Sequence, residues 1–361
     1  MVRESATTTS SDGTITVSVV IANWNKAALT VACVDRLLEH VGAIGCEVIV
    51  VDNGSEAGER DELRAALATR PVRLIELPTN LYFGEANNIG AEVARGRYLL
   101  LLNNDTLVEP GFLEPMVVAL DTAPRAKAVG ARLLYEDGTL QEAGAYLTPE
   151  SWSIQHGKRE QANGLITGPG LYIVDYCSAA CLLIERGAFL KAAGFDPLYD
   201  PAYFEDADLC LRLRSAGHFT YYCGDSAIVH LESRSSNEQW DAAALTQTVQ
   251  ANQKKFAARW GDYLARRLLE PSTMPVFRDV DWQPEPPAEA LSSAHRLEGD
   301  GQIGKTEAWT RLITEATERA DNRPVVFVAD EPASRCRVYA IARDLGVELP
   351  PFGLLSRKDY S

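Results

Sequence analysis

No apolar run in these 361 residues approaches the roughly 18 that a helix needs to span a bilayer. The opening stretch, Met1 to Thr16, is polar and rich in Ser and Thr, without the apolar centre of a secretory leader. A cytoplasmic location is therefore expected. Positive charge is in short supply: 35 Lys and Arg stand against 50 Asp and Glu, a formal net charge of −15 that argues against a broad nucleic-acid surface. No nucleic-acid partner is expected. The seven cysteines are scattered, odd in number and never arranged as C-x-x-C. They read as small core residues of a reducing compartment, and a structural zinc site is not expected. No G-x-G-x-x-G follows the first β-branched run, which removes the classical dinucleotide site from that strand.

What is present is a chain able to build a sizeable core, with 46% hydrophobic and 24% charged residues and a length that suits one large domain with appendages, or two domains. Its organising stretch is Tyr98 to Leu102, five continuously apolar residues followed by Asn103-Asn104-Asp105. Such a run suits a strand buried on both faces that delivers amides and a carboxylate at its carboxyl end, where open α/β sheets bind ligands. A carboxylate there either holds a hard divalent cation that also touches phosphate, or belongs to an ordinary Asn/Asp turn.

The same strand-loop-helix unit recurs upstream. Val17 to Ala22 stops at Asn23-Trp24-Asn25, with Leu29, Cys33, Leu37 and Leu38 on one face of the helix that follows. Glu47 to Val51 stops at Asp52-Asn53-Gly54-Ser55, and Val72 to Leu77 leads to Pro78-Thr79-Asn80. Alternation of this kind predicts a doubly wound, mostly parallel α/β sheet, whose shared edge gathers Asn23, Asn25, Asp52, Asn53 and Asp105 into one crevice. Asp52 is placed either to accept hydrogen bonds from a nucleobase or ribose, or to cap a helix.

The stretch from about 126 to 232 reads less regularly. Val129 to Tyr135 and Leu140 to Leu147 suggest a hairpin, Ser151 to Gly170 a mobile loop over a site, and Tyr176 to Ile184 small residues leading into another strand. The densest chemistry is Tyr203-Phe-Glu-Asp-Ala-Asp208 at the start of a helix with Leu209, Leu213 and Ala216 on its apolar face. Glu205, Asp206 and Asp208 are more acid than one cap requires, and shielding by Tyr203 and Phe204 would raise their proton affinity, the condition for a general base; capping by the helix dipole is the competing account. His230 closes the short apolar run Ala227 to Val229 and precedes the polar Ser233 to Ser236, which suits phosphate as well as a structural role.

Taken in order, Val19 to Asn25, Val50 to Ser55, Asn80 to Gly90, Leu102 to Asp105, Phe204 to Asp208 with Arg212, and His230 resemble the inverting family-two glycosyltransferases, above all their bacterial rhamnosyltransferase-like branch. The resemblance covers about residues 15 to 235. It implies a GT-A fold with a smaller acceptor-side subregion, a nucleoside-diphosphate-sugar donor, and a divalent metal, Mg²⁺ or Mn²⁺. Carried over by position, Asp52 would recognise the base, and Asn23, Asn25, Asn80, Asn88, Asn103 and Asn104 would complete the nucleotide-sugar site. Asp105 would be the carboxylate of a D-x-D-like motif, with His230 holding metal or diphosphate. Asp206, with Glu205 beside it, would deprotonate the acceptor hydroxyl of a lipid-linked or polysaccharide glycan. Two departures stand out: Asn103 replaces the first acid of the D-x-D pattern, and Tyr82 stands where relatives usually carry glycine in N-x-G-F.

The expected organisation is a disordered leader (1–14), a GT-A domain (15–240), a helical extension (241–270), a Pro/Glu/Ser-rich linker (271–304) and a C-terminal segment (305–361). Gln253 to Leu269 mixes five basic residues with Phe256, Trp260 and Tyr263, which suits either peripheral contact with anionic lipid or packing on its own domain. Arg323 to Ala329 starts a fresh strand-loop-helix unit, faintly like the opening of a GT-B-type domain. The rival functions are a sugar-phosphate nucleotidyltransferase, whose Gly-rich basic loop after the first strand is not supplied by Asn23-Trp24-Asn25-Lys26, and a nucleotide-sugar-binding scaffold within a larger synthase.

Overall fold

The computed structural model describes residues 14–148, 150–155, 158–159, 170–231, 242–267, 295–298, 325–328 and 354–355. The leader to residue 13, most of the loop after Gln155 and the Ser233 to Ser236 run lie outside the described residues.

Strand β1 (Val17–Asn23), β2 (Cys46–Asp52), β3 (Val72–Glu76) and β4 (Tyr98–Leu102) pair in parallel, in the order β3-β2-β1-β4. Their side chains alternate between two apolar clusters, which is why they read as unbroken hydrophobic runs. Val19, Ile21, Leu100 and Leu102 point to one face, against Cys33 and Leu37 of α1 (Ala27–His40), Leu63 of α2 (Ala57–Leu67) and Met116 of α4 (Leu113–Thr122). Val20, Leu99 and Leu101 point to the other, against Ala86 and Ala91 of α3 (Tyr82–Val93), Phe189 of α5 (Arg186–Lys191), and Leu209 and Leu213 of α6 (Glu205–Ser215). Helix α3 lies so close to β1 that a Cβ on Gly90 would sit 2.4 Å from a Val20 methyl. The buried face of α1 is Ala27, Thr30, Cys33, Val34 and Leu37; Leu29, expected inward, is only half-buried, because its neighbour Thr30 turns in to serve a polar network.

Beyond β4 the sheet becomes mixed. β11 (Cys181–Glu185) runs antiparallel between β4 and β6 (Ala126–Leu134), and β12 (Phe219–His230) runs parallel to β6, with β10 (Leu171–Val174) at the edge. Two short strands, β5 (Thr106–Val108) and β7 (Leu140–Glu142), add to β12 and β6. The single strand expected over Leu140 to Leu147 is two: Gly144, at φ +70°, breaks it, and β8 (Ala145–Leu147) pairs instead with β9 (Ser153–Gln155). The short strand expected at Ala227 to Val229 is the end of the twelve-residue β12, whose bulge between Cys223 and Ala227 absorbs the Gly-Asp-Ser breaker.

Helix α7 (Ala242–Arg267) turns its aromatic face inward. Phe256 and Leu264 are fully buried with Tyr199, Cys210 and Leu211, and Trp260 and Tyr263 pack alongside. Of the two accounts of this basic, aromatic helix, packing on its own domain is the one seen for these residues. Among the described residues no helix is long and apolar enough to cross a membrane. β13 (His295–Glu298), inside the stretch read as linker, pairs in parallel with β14 (Val325–Val328), which also pairs with β15 (Leu354–Leu355). Its strand state comes from partners outside the Pro-rich window that suggested a linker.

Candidate active site

A cavity of about 730 Å³ opens at the carboxyl ends of β1, β2 and β4, within the size range of small-molecule sites. One wall is built of amides. Asn53 donates from Nδ2 to Asn80 Oδ1 (2.9 Å) and to the Tyr82 carbonyl (3.0 Å), and accepts at Oδ1 from the Leu81 amide (2.8 Å). The two loops touch because Gly54, at φ +73°, has no Cβ; one would lie 2.2 Å from the Thr79 carbonyl carbon. Tyr82 itself sits at φ +66°, so the left-handed turn that suits glycine is kept by a tyrosine, held by its N–H donating to Asn80 Oδ1 (2.7 Å). The ring is half exposed and lines the cavity.

Beneath this wall runs a buried hydrogen-bonded thread. Asn23 Nδ2 donates to Asp52 Oδ1 (2.9 Å), Thr30 Oγ1 donates to Asn23 Oδ1 (2.7 Å), and Asn104 Nδ2 donates to Thr30 Oγ1 (3.0 Å). Three strand ends are tied together in this way. Asp52 is 0% exposed, does not line the cavity, and accepts from Ser55 Oγ as well, with Arg60 Nε 3.6 Å from its second oxygen. The structure thus places Asp52 under the amide wall rather than in it, because its neighbours compensate the buried charge from below; Asn53 and Asn80 hold the surface positions. Asn25 and Asn88 also lie away from the cavity lining. Asn25 accepts at Oδ1 from the Glu56 amide (2.8 Å), and Asn88 brackets Phe195 through its N–H (2.8 Å) and carbonyl (2.9 Å).

At the end of β4, Asn103, Asn104 and Asp105 all line the cavity. Antiparallel pairing of β12 with β5 puts His230 beside them, with Nε2 3.2 Å from Asp105 Oδ1 and 3.4 Å from Asn103 Nδ2. His230 Nδ1 lies 2.7 Å from Gln141 Oε1, an acceptor, so Nδ1 carries the proton and donates. In the neutral ring Nε2 then presents its lone pair next to a carboxylate oxygen. At 3.2 Å the contact is closed either by a proton on the ring or by a cation held between the two groups.

The opposite wall is acidic and apolar. Asp206 and Glu205, at the N-terminus of α6, line the cavity with Glu142 of β7. Burial pushes Asp206 up to about 6, although the Ala207 amide donates to it (2.7 Å). Burial and then the charge of Asp206 push Glu205 up to about 8, and its Oε2 has no hydrogen-bond partner among the described residues. Glu142 is pushed to about 7 by burial, against the hydrogen bond from the Ser178 amide (2.7 Å). Asp208, third acid of the cluster, is structural: it is fully buried and takes hydrogen bonds from Tyr199 (3.1 Å), Arg212 (2.7 Å), Arg259 (2.9 Å) and Trp260 (2.8 Å).

Tyr203 and Phe204, directly before Glu205, are both left-handed, at φ +73° and +78°. Asn252 of α7 steadies this turn, donating from Nδ2 to the carbonyls of Tyr199 (2.6 Å), Ala202 (2.8 Å) and Tyr203 (3.3 Å). Neither Asn252 nor Glu142 was singled out by the sequence. Asn252 acts across some fifty residues, whereas the polar pair Gln141-Glu142 inside an otherwise apolar strand was a visible signal.

Residues 18–189 match the sequence model of Glycosyl transferase family 2. The chain carries a family 2 glycosyltransferase domain. It is 28% identical to the O-antigen biosynthesis protein RfbC of Myxococcus xanthus over 232 residues, 62% of this chain and 18% of that protein. It is 27% identical over 217 residues to the N-acetylglucosaminyl-diphospho-decaprenol L-rhamnosyltransferase of Mycobacterium tuberculosis, 52% of this chain and 67% of that one. The chain spans less than a fifth of the length of the Myxococcus relative. The solved structure of GalNAc-T7 with UDP, GalNAc and Mn²⁺ superposes with a TM-score of 0.53 at 17% identity, covering 73% of this chain and 52% of that one. The family 2 domain thus has a GT-A-like α/β fold. The matched segment stops at α5, so α6 with Asp206, β12 with His230 and the whole of α7 lie beyond it.

Proposed function

We propose that this chain is an inverting, divalent-cation-dependent glycosyltransferase that moves a sugar, rhamnose or a similar hexose, from a nucleoside-diphosphate donor to a hydroxyl of a growing surface glycan. The observation that carries the reading is that Asp206 and the Asp105–His230 pair line one cavity. The names of the Myxococcus and mycobacterial relatives suggest the glycan and the sugar, and the UDP and Mn²⁺ of GalNAc-T7 suggest the donor and the ion.

The residues present fit a divalent cation. Among the described residues the lining holds four carboxylates, Asp105, Glu142, Glu205 and Asp206, against one cation, Lys158, so a diphosphate needs a counter-charge to enter. No group of three His, Cys, Asp or Glu able to hold a metal is found among them. Asp105 and His230 would supply two ligands and the donor's phosphate oxygens the rest, as hard cations with few protein carboxylates are held. When bound, the ion neutralises the charge gathering on the departing diphosphate.

Asn53 and Asn80 offer amide dipoles to the base and ribose, and the thread through Asn23, Thr30 and Asn104 fixes that wall relative to Asp105. Asp206 takes the proton of the acceptor hydroxyl as its oxygen bonds the anomeric carbon. The anomeric C–O bond breaks on the opposite face, its electron pair leaves with the diphosphate, and the configuration inverts. Burial raises the proton affinity of both carboxyls, and the charge of Asp206 raises that of Glu205 further, which makes Asp206 the more readily ionised of the two and our choice of base.

Replacing Asp206 by Asn tests the proposal: transfer is expected to fall by about 10³-fold, within the usual range for a lost general base. Calorimetric affinity for a nucleoside diphosphate with Mn²⁺ should stay within about twofold. Unchanged transfer would remove the base, and absence of any nucleotide affinity in the unaltered chain would leave the family resemblance without its donor.

A further inference from the structure

The cavity lining includes a second, apolar arm of residues whose side chains the chemistry above does not use. Trp152, on the turn between β8 and β9, lines this arm with 46% of its surface exposed, and Tyr203 lines it at 39%. Leu147, Pro201, Ala202 and Val249 complete an apolar lining.

An indole left in water costs free energy unless something covers it, and the turn that carries this one is held in place. The Thr148 amide donates to the Trp152 carbonyl (2.8 Å), the Trp152 amide to Thr148 Oγ1 (3.2 Å) and the Ser151 amide to the Thr148 carbonyl (2.8 Å). Gln253 of α7 clamps the same turn by donating to the Glu150 carbonyl (2.9 Å). Such a platform is pre-organised, so a ligand that covers it loses little ordering entropy on the protein side.

Its charge selects the ligand. No arginine and one lysine, Lys158, line the cavity among the described residues, and Lys158 already donates to Gln155 Oε1 (3.0 Å). An anionic group beside Asp206, Glu205 and Glu142 would meet repulsion in a desolvated site. A pyranose ring is neutral, carries an apolar C–H face that matches an indole, and has hydroxyl edges that suit Ser153 and Gln155, which also line the arm.

We propose that this arm is an acceptor subsite for an uncharged pyranose ring stacked on Trp152 and flanked by Tyr203, presenting its hydroxyl to Asp206, and that an acceptor carrying its diphosphate at this position is excluded. The inference rests on the glycosyltransferase reading and narrows its acceptor to the sugar end of a glycan.

Saturation-transfer NMR on the full chain tests it, with methyl α-L-rhamnopyranoside and methyl β-D-galactopyranoside as neutral probes and geranyl diphosphate as the anionic one. At least one pyranoside should receive saturation at its ring C–H protons, with the signal falling about fivefold or more in Trp152→Ala and kept in Trp152→Phe, while geranyl diphosphate gives none once UDP and Mg²⁺ fill the donor site. Absence of pyranoside signal in the unaltered chain, an unchanged signal in Trp152→Ala, or binding of geranyl diphosphate to the unaltered chain with its donor site so filled would each overturn the proposal. UDP and dTDP with diamagnetic Mg²⁺ in the same samples separate the two readings: nucleotide binding with a failed pyranoside test sinks the subsite alone, whereas absence of nucleotide binding in the unaltered chain sinks the enzyme beneath it. Nucleotide binding retained in Trp152→Ala shows that the variant is folded.

Discussion

The two walls of the cavity are made on opposite principles. On the donor side nearly every polar atom already has a protein partner: Asn53, Asn80, Asn23, Thr30 and Asn104 satisfy one another, and Asp52 is compensated by Asn23, Ser55 and Arg60. On the other side Asp206, Glu205 and Glu142 are desolvated with no ion pair to a cation among the described residues, and all three hold protons more tightly than free carboxyls. A saturated network makes a rigid template of fixed dipoles, while undercompensated burial stores proton affinity. Under the proposed function, donor binding belongs to the first wall and proton transfer to the second.

That division can be broken by experiment. The largest effect should come where the walls meet: Asp105→Asn is expected to cut Mn²⁺-dependent affinity for a nucleoside diphosphate by about 100-fold or more, more than the loss of a group one step removed from a metal, and calorimetry with and without Mn²⁺ reads it. Next is Asn252→Ala, which touches no substrate but frees the carbonyls that shape the turn before Asp206. Transfer kcat should fall by roughly 10- to 100-fold with the donor KM unchanged, because sub-ångström aim is lost while the donor wall stands. A fall in donor affinity as well would mean that the walls are mechanically one.

The pH dependence gives a finer test. If Asp206 is the base, log kcat/KM should rise with slope one on its acid side and level off above about pH 6, a limb absent from nucleotide binding. The smallest effect is on stability. Glu205 binds its proton more tightly folded than unfolded, so its contribution is complete below the ordinary carboxyl range and is lost as pH rises through about 8. Glu205→Gln should therefore raise Tm by a few degrees at pH 8.5 and leave it unchanged at pH 4, as scanning calorimetry would show.

The donor wall was the more legible half. Tyr98 to Leu102 announced itself as a strand buried on both faces because both clusters draw on it, and the polar residues ending β1, β2 and β4 do converge on one sheet edge. What the sequence hid was depth: Asp52 and Asn53 are adjacent, yet one is sealed beneath the wall and the other is in it, a distinction set by Asn23 and Ser55 in space. The second half hid more, since its geometry depends on single backbone events. Gly144 splits one expected strand, the bulge near Cys223 joins two stretches into β12, and Tyr203 and Phe204 adopt a glycine's conformation without being one. Asn252 was invisible because nothing near it in the chain says that three distant carbonyls need a donor.

The grip of Asn252 has a consequence for where this machine ends. A polypeptide cut just after β12 would retain every strand of the large sheet and both of its apolar faces, yet it would bare the cluster around Tyr199 and Leu211 and strip Asp208 of two donors. Its carboxylate at 206 would swing on an unbraced pivot, so the working unit reaches past the sheet to the helix that follows it.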